Sequence, residues 1–167
     1  MAITKIIKIR TNVRACILYI TNPDKTDEKL LVDSLGCLPE SADSIFRITE
    51  KASKRNWEKS SKHIRAYHMI QSFSPDDKIT PDEAQKIGQE LMRRLLGNRY
   101  AYVMSTHIDK GHIHNHFVIC PNSRDMTGEK LYDNPALLHK LQRTSDQLCR
   151  DHGLSVIDRR KGLWQAV

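Results

Sequence analysis

The stretch "HIDKGHIHNHFVI", His107 to Ile119, constrains this chain more than any other. It gathers four of the eight histidines beside an apolar tail. In a strand, successive side chains point to opposite faces, so His112, His114 and His116 share one face while Ile113, Asn115 and Phe117 share the other. Asp109-Lys110-Gly111 is a turn signal. A hairpin that pairs His107 opposite His112 brings His107 onto the same face from the neighbouring strand, because paired residues share a face. A slip of one residue would send it to the other side. Converging imidazoles serve either to bind a divalent metal through neutral nitrogens or to pass protons. Crowding four of them without a metal is costly once any two protonate, so the spacing predicts a metal site. Asp109 can accept the second N–H of a ligating ring and fix its tautomer, or it can simply form the turn.

A three-histidine site with open coordination positions polarises an oxygen of its substrate, and the overall charge indicates which kind. Lys and Arg number 27 against 20 Asp and Glu, a net charge of +7, which favours a polyanionic partner and first of all nucleic acid. The excess is concentrated in "KASKRNWEKSSKHIR", Lys51 to Arg65, where Lys54, Arg55, Lys59 and Lys62 surround Trp57. Such a strip reads either as a solvated helix face or as phosphate contacts with a stacking ring. Phosphodiester cleavage needs in-line attack by water or a side-chain oxygen. Five tyrosines are on offer, Tyr19, Tyr67, Tyr100, Tyr102 and Tyr132, and residue chemistry alone does not choose among them.

The rest of the chain reads as one domain. Its 167 residues suffice for a working core without staples. No apolar run approaches the ~20 residues that cross a bilayer, and "MAITKIIKIR" lacks a signal-peptide core, so the expectation is a soluble cytoplasmic protein. Cys16, Cys37, Cys120 and Cys149 are scattered, without CxxC pairing, and are expected as reduced, mostly buried thiols. "TNVRACILYITNP" has apolar residues at helical spacing between a Thr11 or Asn12 cap and Asn22-Pro23, with Tyr19 at the edge of the stripe in the last turn. Residues 21 to 50 show no clear element. "AYHMIQSF" reads as a strand that carries His68. Thr80-Pro81-Asp82-Glu83 opens a capped helix that Gly97-Asn98 ends. "RYAYVMST" is the strand that leads into His107. Asn134-Pro135 opens a last helix closed by Gly153, and "LSVID" predicts a final strand. The order points to helices packed on a mostly antiparallel sheet, an α+β architecture.

These segments together resemble the conjugative relaxases, DNA strand transferases of the HUH endonuclease superfamily, and above all the mobilisation relaxases of Gram-positive plasmids and integrative elements. "THIDKGHIHNHFVI" is similar to their histidine motif, "AYHMIQSFSP" to a second motif, "NVRACILYITNPDKT" to their nucleophile motif and "QRTSDQLCRDHGLSVID" to a downstream signature. The resemblance implies a ferredoxin-like α+β domain over residues 1–167, within a family whose members often continue into further domains. It implies a domain that nicks one strand of single-stranded DNA at an origin of transfer, in the bacterial cytoplasm, with an accessory relaxosome protein. It makes Tyr19 the nucleophile and His107, His114 and His116 the ligands of Mn²⁺ or Mg²⁺, although three imidazoles suit Zn²⁺ equally. His112 and His68 would support a ligand or touch substrate, Asp109 would orient a ligand or help take the tyrosine proton, and Lys25 would join the basic strip in binding phosphates. Many relatives carry Asn where Cys120 stands, with Asn122 two residues on. Two other readings compete: a replication initiator or transposase of the same superfamily, whose nucleophile usually follows the histidines, and a DNA-binding module that holds structural zinc.

Overall fold

The computed structural model describes residues 2–53, 63–109 and 111–157. Five strands form one sheet: β1 (Ile3–Ile9), β2 (Val32–Leu35), β3 (Ala66–Ser72), β4 (Tyr100–His107) and β5 (His114–Ser123). Their order is β1-β3-β5-β4-β2, and every neighbouring pair is antiparallel. Among the described residues the α-helices are α1 (Val13–Ile20), α2 (Ala42–Ala52), α3 (Pro81–Leu96) and α4 (Pro135–Asp151). The α+β expectation is met.

Alternation along the strands divides the core in two. Tyr67, Met69, Tyr102, Met104, Phe117 and Ile119 point to one face, where they pack on Ile87, Leu91 and Leu95 of α3 and Leu137, Leu141 and Leu148 of α4. On the other face, Ala66, Val103, Val118 and Cys120 meet Val13, Ile17 and Ile20 of α1 and Phe46 of α2. Burial of these side chains supplies most of the drive to fold. Helix starts follow their chemistry. Thr80 and Glu83 form the complete capping box of α3, Asn12 accepts from the Ala15 N–H at α1, and Asn134 accepts from the Leu137 N–H at α4. Gly97, at φ +58°, ends α3 in a conformation that favours glycine.

The structure departs from the sequence reading in three places. Residues 21 to 50 hold β2 and most of α2, which the sequence pattern does not announce because β2 is a four-residue edge strand and α2 buries Thr49 and Glu50 along with Ala42 and Phe46. Over Leu154–Ile157, the described part of "LSVID", no strand forms. Leu154–Ile157 has no regular structure, Ser155 accepts one hydrogen bond from the Ala2 N–H, and its own N–H and hydroxyl donate to Asp77. The hairpin pairs His107 with His114, not His112. The flanking backbone bonds elsewhere: the Ile108 N–H donates to the Lys25 carbonyl, and the Ile113 carbonyl accepts from the Phe73 N–H. A shift of two residues preserves face, so His107 still joins the row.

Candidate active site

His107 at the end of β4 and His114 and His116 at the start of β5 converge on the face that α1 covers. One nitrogen from each ring lies within 4.8 Å of those of the other two. All three rings are buried, and the spacings between their centroids run from 4.3 to 5.2 Å.

Hydrogen bonds around the triad set which nitrogen of each ring bears the proton. His107 Nε2–H donates to the Ile20 carbonyl at 2.8 Å, which leaves its lone pair on Nδ1. His114 Nδ1–H donates to the His112 carbonyl at 3.2 Å, which leaves its lone pair on Nε2. His116 Nδ1 lies 2.9 Å from His68 Nε2; with His116 as donor and His68 as acceptor, His116 also presents Nε2. Burial, then the neighbouring His107, lowers the His68 pKa to about 4, which keeps that ring neutral and able to accept. Burial also lowers His114 below the ordinary histidine value; the hydrogen bond to the His112 carbonyl opposes this, and the neighbouring His107 and His112 rings add to it. Neutral rings with lone pairs fixed by outer hydrogen bonds are the donor set a divalent cation requires.

Tyr19 stands at the lip of this cluster. It occupies the last turn of α1, its ring 5.8 Å from His107 and 5.9 Å from His116, and 45% of it is exposed. Lys25 Nζ lies 4.4 Å from the centre of that ring and 3.4 Å from Asp109 Oδ2. Partial desolvation opposes the Lys25 charge, but Tyr19 and Asp109 outweigh it and raise its pKa. Desolvation likewise works to raise Asp109, yet Lys25 and then His107 hold it below the ordinary carboxyl value. Asp109 Oδ1 is 4.0 Å from His107 Nδ1, whereas the other nitrogen of that ring is held by Ile20, an acceptor that no sequence pattern announces.

The remaining tyrosines sit elsewhere. Tyr67, Tyr100 and Tyr102 are core residues, and burial raises the pKa of each. Tyr132 is exposed, next to Leu131, whose carbonyl accepts from the Tyr67 hydroxyl at the Ile119 end of β5. His112 lies half-buried in the hairpin loop, its ring 5.2 Å from His114. It lines, with Tyr19, His68, His114, His116, Lys5 and Ile70, a cleft of about 630 Å³ beside the triad. Lys54, Arg55, Trp57, Lys59 and Lys62 lie outside the described residues. All four cysteines are free, and burial raises their thiols to about 11 or 12. No helix among the described residues is long and apolar enough to cross a membrane.

Fold and site define a class: an antiparallel α+β domain that presents an imidazole triad, with a phenol beside it, at one end of its sheet. The family described as "Relaxase: MobA/VirD2-like, nuclease domain" matches residues 19–154. The protein Rlx of Staphylococcus aureus is 35% identical over 160 residues, covering 95% of this chain and 46% of that protein. The group II intron-interrupted relaxase LtrB of Lactococcus lactis subsp. cremoris is 28% identical over 179 residues, covering 86% of this chain and 31% of that protein. The chain belongs to this relaxase family and spans between about a third and a half of the length of these relatives. Among solved structures, a manganese-bound MobM relaxase domain in complex with plasmid oriT DNA superposes with a TM-score of 0.69 at 12% identity, over 99% of this chain and 94% of that one. A second MobM–oriT DNA complex gives 0.68 at 14% identity, over 99% and 92%.

Proposed function

We propose that this domain nicks one strand of DNA at an origin of transfer by tyrosine transesterification, with Tyr19 as the nucleophile. The observation that carries the reading is the position of the Tyr19 ring, solvent-accessible and within 6 Å of two rings of the histidine triad. His107, His114 and His116 would hold one divalent ion, for which we favour Mn²⁺ or Mg²⁺ over Zn²⁺. When bound, such an ion draws charge from the nonbridging oxygens of the scissile phosphate.

The protein side of the reaction follows from the side chains. A phenol is a weak nucleophile until its proton leaves. Lys25 places its ammonium over the ring, and Asp109, joined to Lys25, offers a carboxylate to take the proton. The phenolate oxygen forms a bond to phosphorus, the bond from phosphorus to the 3′-oxygen breaks, and that oxygen leaves as the 3′-hydroxyl with the proton that Asp109 took from Tyr19. One phosphodiester becomes another, so the free 3′-end can attack in reverse and reseal the strand. His112 and His68 line the cleft where the strand would lie, and Lys25 with the basic segment around Trp57 would add phosphate contacts. A single-stranded origin is the substrate, an accessory relaxosome protein the expected partner and the bacterial cytoplasm the setting.

The test is incubation with single-stranded oligonucleotides from a candidate transfer origin and Mn²⁺, followed by denaturing electrophoresis. The wild type and Tyr132→Phe should yield a slow-migrating covalent species, and Tyr19→Phe none. An adduct in Tyr19→Phe removes Tyr19 from the role. A shifted band on native gels with no adduct from any protein would mark a binding module instead.

A further inference from the structure

Directly beneath the histidine triad, on the opposite face of β4 and β5 and of their neighbour β3, lies a row of buried amides and a hydroxyl. Asn115 sits between His114 and His116, Thr106 precedes His107, and Gln71 on β3 pairs with Asn115 across the sheet. All three are fully buried. Asn115 Nδ2 donates to Gln71 Oε1 at 3.0 Å and to the Ala84 carbonyl of α3 at 2.8 Å. The Thr106 hydroxyl lies 2.7 Å from Asn115 Oδ1 and 2.5 Å from Gln85 Oε1. A hydroxyl has one hydrogen; given to Asn115, it leaves Gln85 to donate its own amide N–H, which rotation of that terminal amide supplies. Gln71 Nε2 closes the row by donating to the Ser145 hydroxyl of α4 at 2.8 Å.

Gly88 shows how closely the row is fitted. A Cβ there would stand 2.7 Å from Asn115 Nδ2 and 2.3 Å from Met104 Cε, so α3 approaches the amide only because residue 88 has no side chain.

We infer that Asn115, Thr106 and Gln71 are positioning residues for the metal centre, locking the register of β3, β5 and β4 so that His107, His114 and His116 meet on one face. Apolar side chains are interchangeable under sliding, since one aliphatic contact replaces another. Directional bonds between buried groups are not, and a slip of one residue would strand them without partners and turn the histidines away. The inference deepens the proposed metal site and rests on it.

The test compares Mn²⁺ affinity, by calorimetry on the folded protein, with thermal stability and with imidazole ¹H–¹⁵N spectra of the metal-free protein. Thr106→Val removes the hydroxyl at equal volume, Thr106→Ser restores it, and Asn115→Leu removes the central amide. Leu141→Ala, a buried α4 residue outside the row, serves as a control for loss of stability alone. Thr106→Val should weaken Mn²⁺ binding about tenfold and blur the tautomer pattern of the three rings. Thr106→Ser should recover both, and Leu141→Ala should lower the melting temperature with affinity unchanged. Should Asn115→Leu not fold, the Thr106 pair decides. The inference is overturned if folded Thr106→Val binds Mn²⁺ like the wild type, or if Leu141→Ala loses affinity as much as Thr106→Val does. A wild type that binds no Mn²⁺ defeats the metal site itself, and a scrambled tautomer pattern confined to Thr106→Val would then still support the lock.

Discussion

The two faces of the sheet are treated differently by the helices that cover them. On the α3/α4 face, side chains such as Met69, Met104 and Phe117 are entirely buried. On the other face, α1 and α2 lie over β4 and β5; of β1, Ile9 packs against that cluster while Ile3 is 48% and Ile7 46% exposed. Strand alternation makes this division possible at single-residue resolution: His116 faces the site and Phe117 the closed core. One face can be optimised for packing while its neighbours one residue away are arranged for chemistry.

Substitutions should separate the faces cleanly. The largest effect belongs to Tyr19→Phe, which should reduce adduct formation by about 10⁴-fold or more while leaving the urea midpoint unchanged, since Tyr19 is an exposed residue. Leu91→Ala, in the closed core, should do the reverse. A cost of about 2–5 kcal/mol in urea denaturation is expected, with Mn²⁺ affinity of the folded fraction intact. Lys25→Met should slow adduct formation about tenfold, equivalent to roughly 1.4 kcal/mol in the barrier, measured in single-turnover time courses with stability unaltered. Ile7→Ser, on the open half of the site face, should change stability by no more than about 0.5 kcal/mol. A loss comparable to that of Leu91→Ala would mean that this half of the sheet is packed after all, and the contrast between faces would fail.

The features legible in the sequence are those set by local chemistry. Thr80 and Glu83 announce their helix because both halves of the capping box lie within four residues, and the alternation of His114 and His116 assigns them one face in any strand. Features that depend on distant partners were not legible. The His107–His114 pairing follows from backbone bonds to Lys25 and Phe73, so a turn rule applied to Asp109-Lys110-Gly111 misses it by two residues. The helix α2 hides because two of its four buried side chains, Thr49 and Glu50, are polar. "LSVID" has strand propensity, yet Leu154 bonds back to the Cys149 carbonyl at the end of α4 and Ser155 to the Ala2 N–H, one isolated contact on each side and no ladder over Leu154–Ile157. Within the site, the resemblance already joined Asp109 to Tyr19, whereas the contact of Lys25 with both emerges only when β4 and α1 are brought side by side. Asn115 and Thr106 were visible as letters beside the histidines, but nothing in their spacing distinguishes a buried amide from a surface one.

The bond from His107 to the Ile20 carbonyl has a mechanical corollary. Ile20 is the residue immediately after Tyr19, so the hinge pin of the imidazole and the mooring point of the phenol are adjacent links of one backbone. A strand tethered through Tyr19 would haul on the same short helix that braces the ring, and tension on the cargo would be felt at the grip.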